Sequence, residues 1–254
     1  MIYLMGLGLR GVDSVTLLED RIISSCHRIY FEIYTSISPE KTIHQLEERY
    51  GKEVIPTSRD DLENSSAILE QARSLDVCLL VTGDPLYATT HNQIRLDAAR
   101  SGIRIETIEN SSAISVIPGR VGLFPYRMGP PVSLPFISEK FRPRSVLEKI
   151  GRNLASELHT LLLFDLAPGR TMYPWEAASI LLDLEKHHGT GIIGINSEVI
   201  VAANVSQQGE TLLVGKLGDI SQWKKELSPS SMIITAQLSH KEKEFVEEFC
   251  RRLP

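Results

Sequence analysis

The sequence predicts an α/β protein made of two α/β domains, the first with a mostly parallel sheet and the second with a mixed sheet. In the first part of the chain, short apolar runs of strand length alternate with helical patterns, which is typical of βαβ units. A stretch rich in proline and glycine interrupts this pattern, and beyond it three strand candidates follow one another closely. We therefore expect domains at 1–117 and 144–254, with residues 118–143 as the junction.

The first domain begins with a buried strand, Ile2–Met5, that runs into the glycine turn Gly6-Leu7-Gly8. Thr16 and Glu19 have the spacing of a capping box and predict a helix behind that turn. The turn lacks the third glycine and the later acidic partner of the dinucleotide fingerprint. It therefore gives little support for a nicotinamide oxidoreductase.

Four more strands and four more helices complete the predicted parallel domain. The strands are expected at 28–34, 54–55, 77–81 and 103–108. The helices are expected from Ser38-Pro39-Glu40, from Asp60 or Asp61 to about Ser74, from the hydroxyl residues after Tyr87 to about Ser101, and after Asn110-Ser111-Ser112-Ala113.

The stretch from Leu79 to His91 reads as a strand, a bend at Gly83-Asp84-Pro85 and the start of a helix. Ligands of open α/β sheets bind beyond the carboxyl ends of the strands, which is where this bend lies. Glycine permits close approach of the backbone, and an aspartate accepts hydrogen bonds from hydroxyl or ammonium groups. The alternative is that Asp84 bonds only its own turn.

Six prolines and three glycines between Ile117 and Pro143 exclude a long regular element there, although a long surface loop within one domain is the alternative. The second domain is then expected to contain strands at 159–165, 192–195, 199–202, 211–214 and 232–235. Its helices are expected at 145–157, 173–187 and 218–227, and from His240 onward.

The composition is that of a globular protein without a basic field. The chain has 254 residues, of which 42% are hydrophobic, and this is enough for a core. Its net charge of -5 argues against direct nonspecific binding of nucleic acid. No apolar run approaches the roughly 20 residues that span a bilayer, so no membrane association is expected.

Three widely spaced cysteines predict neither a disulfide framework nor a zinc site, and no metal site is expected. Such usage is typical of a reducing compartment, so a cytoplasmic protein is expected. Cys78 lies in a predicted strand and is expected in the core. Cys250, near the polar end of the chain, is expected to be partly exposed.

Several motifs follow one another along nearly the whole chain. They are Gly6-Leu7-Gly8-Leu9, Tyr34-Thr35-Ser36, Ser58-Arg59, Gly83-Asp84-Pro85-Leu86-Tyr87-Ala88-Thr89-Thr90-His91, Arg142-Pro143-Arg144-Ser145, His159-Thr160-Leu161 with Asp165, and Met172-Tyr173. In this order they resemble the diphthine synthase family. The Gly-Asp-Pro element alone indicates only the larger tetrapyrrole methylase-like class, whereas the Ala-Thr-Thr-His and Tyr-Thr-Ser elements are more specific.

This resemblance implies a methyltransferase that uses S-adenosylmethionine, held in the cleft between two α/β domains and left as S-adenosylhomocysteine, usually in a homodimer. Members act in diphthamide biosynthesis and methylate the amino group of a modified histidine on translation elongation factor 2. The positions that the resemblance implies as cofactor contacts are Leu9, Asp84, Tyr87, Ser112, Ala113, Leu163, Val205 and Ser231.

The last third of the chain departs from the family pattern. Asn204-Val205-Ser206 stands where relatives usually carry an Arg-Ala-Gly-like turn, and Thr235-Ala236-Gln237-Leu238-Ser239 replaces Pro-Gly-Lys-Leu-His. Two alternatives therefore stay open. One is a methyltransferase for a porphyrinoid such as a cobalamin precursor, and the other is a protein that binds the cofactor without transferring methyl groups.

The sequence assigns no general base. Transfer from a sulfonium needs an uncharged amine in line with the methyl group, so positioning and desolvation are expected to supply most of the catalysis. His91 is expected to bond a neighbouring loop, with proton transfer as the alternative, and His159 is expected to make a structural hydrogen bond. The segment Arg127–Arg152 carries six positive and two negative charges and is either a docking face or a solvated helix face.

Overall fold

The computed structural model describes residues 1–39, 41–64, 66–167 and 169–253. The chain forms two compact units, Met1–Ala113 and a second unit that begins at Ile114. Both contain a sheet with helices, so the predicted α/β class is confirmed, with a parallel sheet first and a mixed sheet second.

The first unit alternates strands with helices throughout. Its strands are β1 Ile2–Gly6, β2 Arg28–Glu32, β3 Val54–Thr57, β4 Val77–Val81 and β5 Ile105–Ile108. Its helices are α1 Leu17–Ser25, α2 Thr42–Tyr50, α3 Arg59–Glu63, α4 Ser66–Ala72 and α5 Asn92–Arg100. The helix α6, Ala113–Arg120, starts at the last residue of this unit.

The five strands form a parallel sheet in the order β3-β2-β4-β1-β5. Side chains of β4 alternate between two cores, since Leu79 and Val81 pack on one face while Cys78 and Leu80 pack on the other. Burial on both faces explains why this strand is a continuous apolar run. Because all strands are parallel, the loops after β1, β2, β4 and β5 meet at one carboxyl edge.

The second unit is built on a mixed sheet in the order β13-β11-β10-β12-β7-β6 and a separate two-stranded ribbon β8-β9. The strands are β6 Val132–Leu134, β7 Thr160–Phe164, β8 Leu166–Ala167, β9 Arg170–Thr171, β10 Glu198–Ala203, β11 Thr211–Lys216, β12 Ser230–Ile234 and β13 Arg251–Arg252. The helices are α7 Arg144–Ala155, α8 Pro174–His188, α9 Leu217–Gln222 and α10 His240–Phe249. β12 pairs antiparallel with both β7 and β10.

The region of the predicted junction contains regular structure. Residues 118–143 include the end of α6, with Pro118 inside it, a 3-10 turn at Pro125–Arg127, and β6. Strand β6 pairs in parallel with β7 and so belongs to the sheet of the second unit. The domain limits 1–117 and 144–254 stay a prediction.

Two predicted helices in the first unit differ from the structure. The helix expected to open at Ser38-Pro39-Glu40 begins at Thr42, with Lys41 as its N-cap. The single helix predicted from Asp60 or Asp61 to Ser74 is wrong, because α3 and α4 are separate helices. Asn64 leaves the helical region at φ -105 and ψ 69, consistent with the tendency of asparagine to bond its local backbone. Ser65 and Glu40, which belonged to two of the predicted helices, lie outside the described residues.

Two further predictions are corrected in the second unit. Residues 192–195 form no strand, because the Glu185 carboxylate accepts hydrogen bonds from Thr190 Oγ1 and Gly191 N, both at 2.6 Å, and holds the segment as a turn. Cys250 is buried rather than partly exposed, since its thiol packs against Val121 O at 3.7 Å. Burial raises the pKa of the Cys250 thiol to about 12. Within the described ranges, no helix combines the length and apolar character needed to cross a membrane.

Candidate functional site

Two glycine turns meet at the carboxyl edge of the parallel sheet. Gly8 N donates to Gly83 O at 3.1 Å, and Gly83 N donates to Gly8 O at 2.8 Å. Both glycines have left-handed backbones, with φ of +57 and +80, and a Cβ on Gly6 would overlap Gly83 O. The glycines therefore bring the loop that carries Leu9 against the loop that carries Asp84.

Asp84 lies at this contact and is 7% exposed. Its Oδ1 accepts from Leu86 N at 2.8 Å, which is the bond within its own turn that the sequence allowed. Its Oδ2 accepts from Asn110 N at 3.1 Å, in the loop after β5. The carboxylate thus fastens two loops of the edge and retains lone pairs for a ligand.

Asn110 extends this network and was not identified from the sequence. Its side-chain Nδ2 donates to Gly6 O at 3.1 Å and to Glu19 Oε1 at 3.2 Å. Glu19 is fully buried and closes the capping box with Thr16 that the sequence predicted. The available signal was a polar residue directly after a strand at the carboxyl edge, the same signal that marked Asp84.

The other predicted cofactor positions of the first unit lie on these same loops. Leu9 follows the β1 glycine turn and is half-buried, and Tyr87 is 53% exposed on the β4 loop. Ser112 is buried after β5, and Ala113 is the first residue of α6. The structure brings the loops that carry these residues and Asp84 to one edge of the sheet.

The three predicted cofactor positions of the second unit also lie close together. Leu163 on β7 and Ser231 on β12 are register partners, and Val205 follows the end of β10, which pairs with β12. Val205 and Ser231 are buried. In the divergent turn around Val205, Asn204 and Ser206 have left-handed backbones with φ of 49 and 66, so the chain turns here without a glycine.

His91 and Glu32 form a buried pair on the neighbouring part of the unit 1 edge. His91 Nδ1 lies 3.0 Å from Pro85 O, so the expected bond to a neighbouring loop is confirmed. His91 Nε2 lies 3.8 Å from Glu32 Oε2, and both side chains are 1% exposed. His91 is also the N-cap of α5 and makes no side-chain cap, which corrects the expected hydroxyl cap: Thr89 Oγ1 bonds Pro85 O instead.

A second buried pair, His159 with Glu242, lies in the second unit. His159 Nε2 donates to Glu242 Oε1 at 3.2 Å, and His159 Nδ1 accepts from Ala236 N at 3.0 Å. Burial raises the pKa of Glu242, but hydrogen bonds from Ser239, His159 and Phe124 N outweigh it and hold the pKa at about 2. Burial lowers the pKa of His159, with Glu242 opposing.

The basic segment is partly neutralised within its own unit. Arg127 pairs with Glu242, Arg142 Nε lies 3.1 Å from Asp183, and Arg144 Nε lies 3.2 Å from Glu148. Arg127 is therefore structural, while the exposed residues Lys140, Lys149 and Arg152 keep the segment positive. Among the described residues, no group of three or more His, Cys, Asp or Glu side chains is arranged to hold a metal ion.

Comparison with known proteins identifies the family. Residues 1–221 match the family of tetrapyrrole (corrin/porphyrin) methylases. The chain is 38% identical to diphthine synthase of Thermoplasma acidophilum over 98% of this chain and 95% of that protein. It is 33% identical to diphthine methyl ester synthase of Saccharomyces cerevisiae over 98% of this chain and 89% of that one. A crystal structure of diphthine synthase, 28% identical, covers 100% of this chain and 97% of its own with a TM-score of 0.89.

The chain is a methyltransferase of the tetrapyrrole methylase family, because the model of that family matches residues 1–221. Its parallel sheet, with Gly83 and Asp84 at the carboxyl edge, and its mixed sheet agree with this assignment. Within that family the chain belongs with the diphthine synthases, the enzymes of diphthamide biosynthesis. The resemblance stated from the sequence motifs is thereby confirmed.

Proposed function

We propose that this enzyme transfers methyl groups from S-adenosylmethionine to the amino group of the modified histidine, the diphthamide precursor, on translation elongation factor 2. The observation that carries this proposal is the 38% identity to a diphthine synthase over 98% of the chain. The loops around Asp84 support it, because they gather the residues that the family resemblance assigns to the cofactor at one sheet edge.

The residues present suit the chemistry of S-adenosylmethionine. Asp84 is a buried acceptor-only group with spare lone pairs, which suits the hydroxyl and ammonium donors of the cofactor. Gly8 lets its loop pack closely against Asn110 and Ser111, which places Leu9 near the loop of Ser112 and Ala113. In the second unit, Leu163 and Val205 offer apolar contact to a flat base, and the Ser231 hydroxyl offers a polar one.

We assign the cofactor to residues of both units, as the resemblance implies for a cleft between two α/β domains. Tyr87 is 53% exposed on the β4 loop and offers an aromatic ring to a ligand there. When bound, S-adenosylmethionine supplies the electrophilic methyl group and is left as S-adenosylhomocysteine. The protein contributes by holding the amine in line and excluding water.

The protein substrate and the assembly are part of the same proposal. Elongation factor 2 is the expected partner, in a cytoplasmic setting, and the enzyme works as a homodimer without direct contact to nucleic acid or membrane. The buried free cysteines are consistent with a reducing compartment.

One assay tests the proposed function. The protein is incubated with methyl-labelled S-adenosylmethionine and, in separate reactions, with precursor-bearing elongation factor 2 and with a porphyrinoid acceptor. Label on the elongation factor supports the proposal. Label on the porphyrinoid would support the alternative methyltransferase, and binding without any transfer would indicate a non-catalytic cofactor-binding protein.

A further inference from the structure

A cavity opens at the carboxyl edge of the parallel sheet, on the β2 side of the Asp84 loop. It has a volume of about 230 Å³ and is lined by Tyr34, Leu62, Thr90, His91, Gln93 and Ile94. Leu62 of α3 and Ile94 of α5 supply apolar side chains to its wall, and the other four residues supply polar groups. All six residues belong to the first unit, and His91 connects the cavity to the Asp84 loop through Pro85 O.

The bond to Pro85 fixes the proton on His91. A backbone carbonyl only accepts hydrogen bonds, so His91 Nδ1 must be the protonated nitrogen, 3.0 Å from Pro85 O. In the neutral imidazole, Nε2 then carries the free lone pair. Nε2 is buried and has no hydrogen-bond partner among the described residues. The ring therefore holds an unused basic nitrogen, which is costly unless a ligand or a proton uses it.

The Glu32 carboxylate is positioned to stabilise a proton on His91 Nε2. Its Oε1 accepts from Tyr34 N at 2.5 Å and from Thr35 N at 2.6 Å, and its Oε2 accepts from Thr35 Oγ1. These donors fix the carboxylate in place, with Oε2 at 3.8 Å from His91 Nε2. In the neutral ring neither Nε2 nor the carboxylate has a proton to donate, so no hydrogen bond joins them, but at this distance the carboxylate charge would stabilise an imidazolium.

Transfer of a methyl group to an amine needs a proton acceptor. A substrate ammonium has no free electron pair, so one proton must leave for each methyl group added. Asp84 is assigned above to the hydroxyl and ammonium donors of the cofactor, and both ring nitrogens of His159 are hydrogen-bonded. Of the buried histidines in the described part of the chain, only His91 combines a free nitrogen with a cavity.

We infer that His91 is the general base of the reaction, that Glu32 is the residue that positions and stabilises it, and that the adjoining cavity receives the substrate amine. This assignment rests on the proposed function. The ammonium nitrogen of the substrate gives a proton to His91 Nε2. Its freed electron pair forms the C–N bond as the C–S bond of the sulfonium breaks, with that bond's electron pair staying on sulfur as a thioether.

The kinetic test replaces His91 by asparagine, whose amide can still donate to Pro85 O but has no atom at Nε2. His91→Asn should lower kcat by about 10²–10⁴-fold while the affinity for S-adenosylmethionine, measured by calorimetry, stays unchanged. His159→Asn is the matched control and should leave the kcat of the folded enzyme unchanged. An unaltered kcat in His91→Asn, with active wild-type enzyme, would overturn the role of His91 and leave the proposed function intact.

A second measurement needs no turnover. Nitrogen-15 chemical shifts of the cofactor-free protein should show His91 with its proton on Nδ1 and His159 with its proton on Nε2. If His91 carries its neutral proton on Nε2, that nitrogen has no lone pair to accept another and the assignment fails. This readout also covers the case in which His91→Asn lowers kcat merely by disturbing the fold.

Discussion

The two buried histidine–glutamate pairs consist of the same residue types but differ in how completely the histidine is hydrogen-bonded. In the second unit, both nitrogens of His159 are bonded, and Glu242 receives donors from Ser239, Phe124 and Arg127. In the first unit, Glu32 also accepts several hydrogen bonds, but His91 Nε2 lies 3.8 Å from it and makes no hydrogen bond within the described part of the chain. One pair is complete and therefore structural, whereas the other keeps a nitrogen available for chemistry.

The location of each pair explains the difference. His159 directly precedes β7, where it forms an isolated bridge with Met128, and its partner Glu242 lies in the first turn of α10. The pair therefore joins the start of a strand to a helix within one unit. His91 lies at the carboxyl edge of a parallel sheet, beside the loop that holds Asp84. Ligands of such sheets bind at this edge, which is why we assign the incompletely bonded His91 to the reaction.

The largest effect on stability should come from removing the negative charge of Glu242, the carboxylate of the fully hydrogen-bonded pair. Glu242→Gln leaves Arg127 without its anion inside the unit, and we expect the free energy of unfolding to fall by about 3–5 kcal/mol. Glu32→Gln keeps an oxygen for Tyr34 N and Thr35 N, and should cost about 0.5–1.5 kcal/mol. Urea denaturation measures both, and equal losses would contradict the comparison.

The titration of Glu242 and His159 should determine how the free energy of unfolding depends on pH. Because the folded pKa of Glu242 is about 2, against an ordinary value of 4.5, its stabilisation is complete above about pH 5 and is lost as the pH falls toward 2. The loss amounts to about 3 kcal/mol. The lowered pKa of His159 adds a smaller loss that begins as the pH falls below 6.5. In Glu242→Gln, the acid loss below pH 5 should be largely absent; an unchanged profile would show that another group causes it.

A smaller effect is expected at the open edge of the first unit. Asp84→Ala should weaken S-adenosylmethionine binding by about 1–3 kcal/mol, because Leu86 N and Asn110 N lose their acceptor and the ligand loses a carboxylate. Calorimetry measures the affinity, and circular dichroism checks that the variant is folded. Asp20→Ala, which removes a surface carboxylate bonded to Arg49, is the matched control. Equal affinity in Asp84→Ala and wild type would remove Asp84 from the cofactor site.

The smallest effect should come from the basic segment. Arg142 and Arg144 already pair with Asp183 and Glu148, which limits their contribution to steering a partner. Reversal of both charges should slow modification of elongation factor 2 by about tenfold at most in low salt, and less in high salt. The modification rate at two ionic strengths measures this. If the charge reversal left the rate unchanged, the segment would be an ordinary solvated helix face with no part in docking.

The sequence predicted the fold wherever one local pattern decided the structure. Thr16 and Glu19 form the predicted capping box, and the apolar run Val77–Val81 is the central strand of a parallel sheet. The prediction failed where a polar group distant in sequence, or one that competes for backbone hydrogen bonds, determined the local structure. The Glu185 carboxylate holds 192–195 as a turn despite its apolar residues, and Asn64 divides one predicted helix into two.

In the candidate site, too, the sequence predicted the residues that a local pattern marks and missed the contacts between distant residues. Asp84 was identified because strand, glycine and proline surround it in the sequence. The bond from Asn110 N to Asp84, and the approach of Glu32 to His91, join residues 26 and 59 positions apart, so no local pattern contained them. The tautomer of His91 depends on Pro85 O, which only the folded loop places within reach.

The central claim is that the cofactor binds at the carboxyl edge of the parallel sheet, against the loop of Asp84. A crystal structure of the protein with S-adenosylhomocysteine tests it most directly. We expect the ligand in contact with the loops of Leu9, Asp84 and Ser112, with its sulfur on the side toward His91. Density for the ligand far from residue 84, with these loops empty, would contradict it.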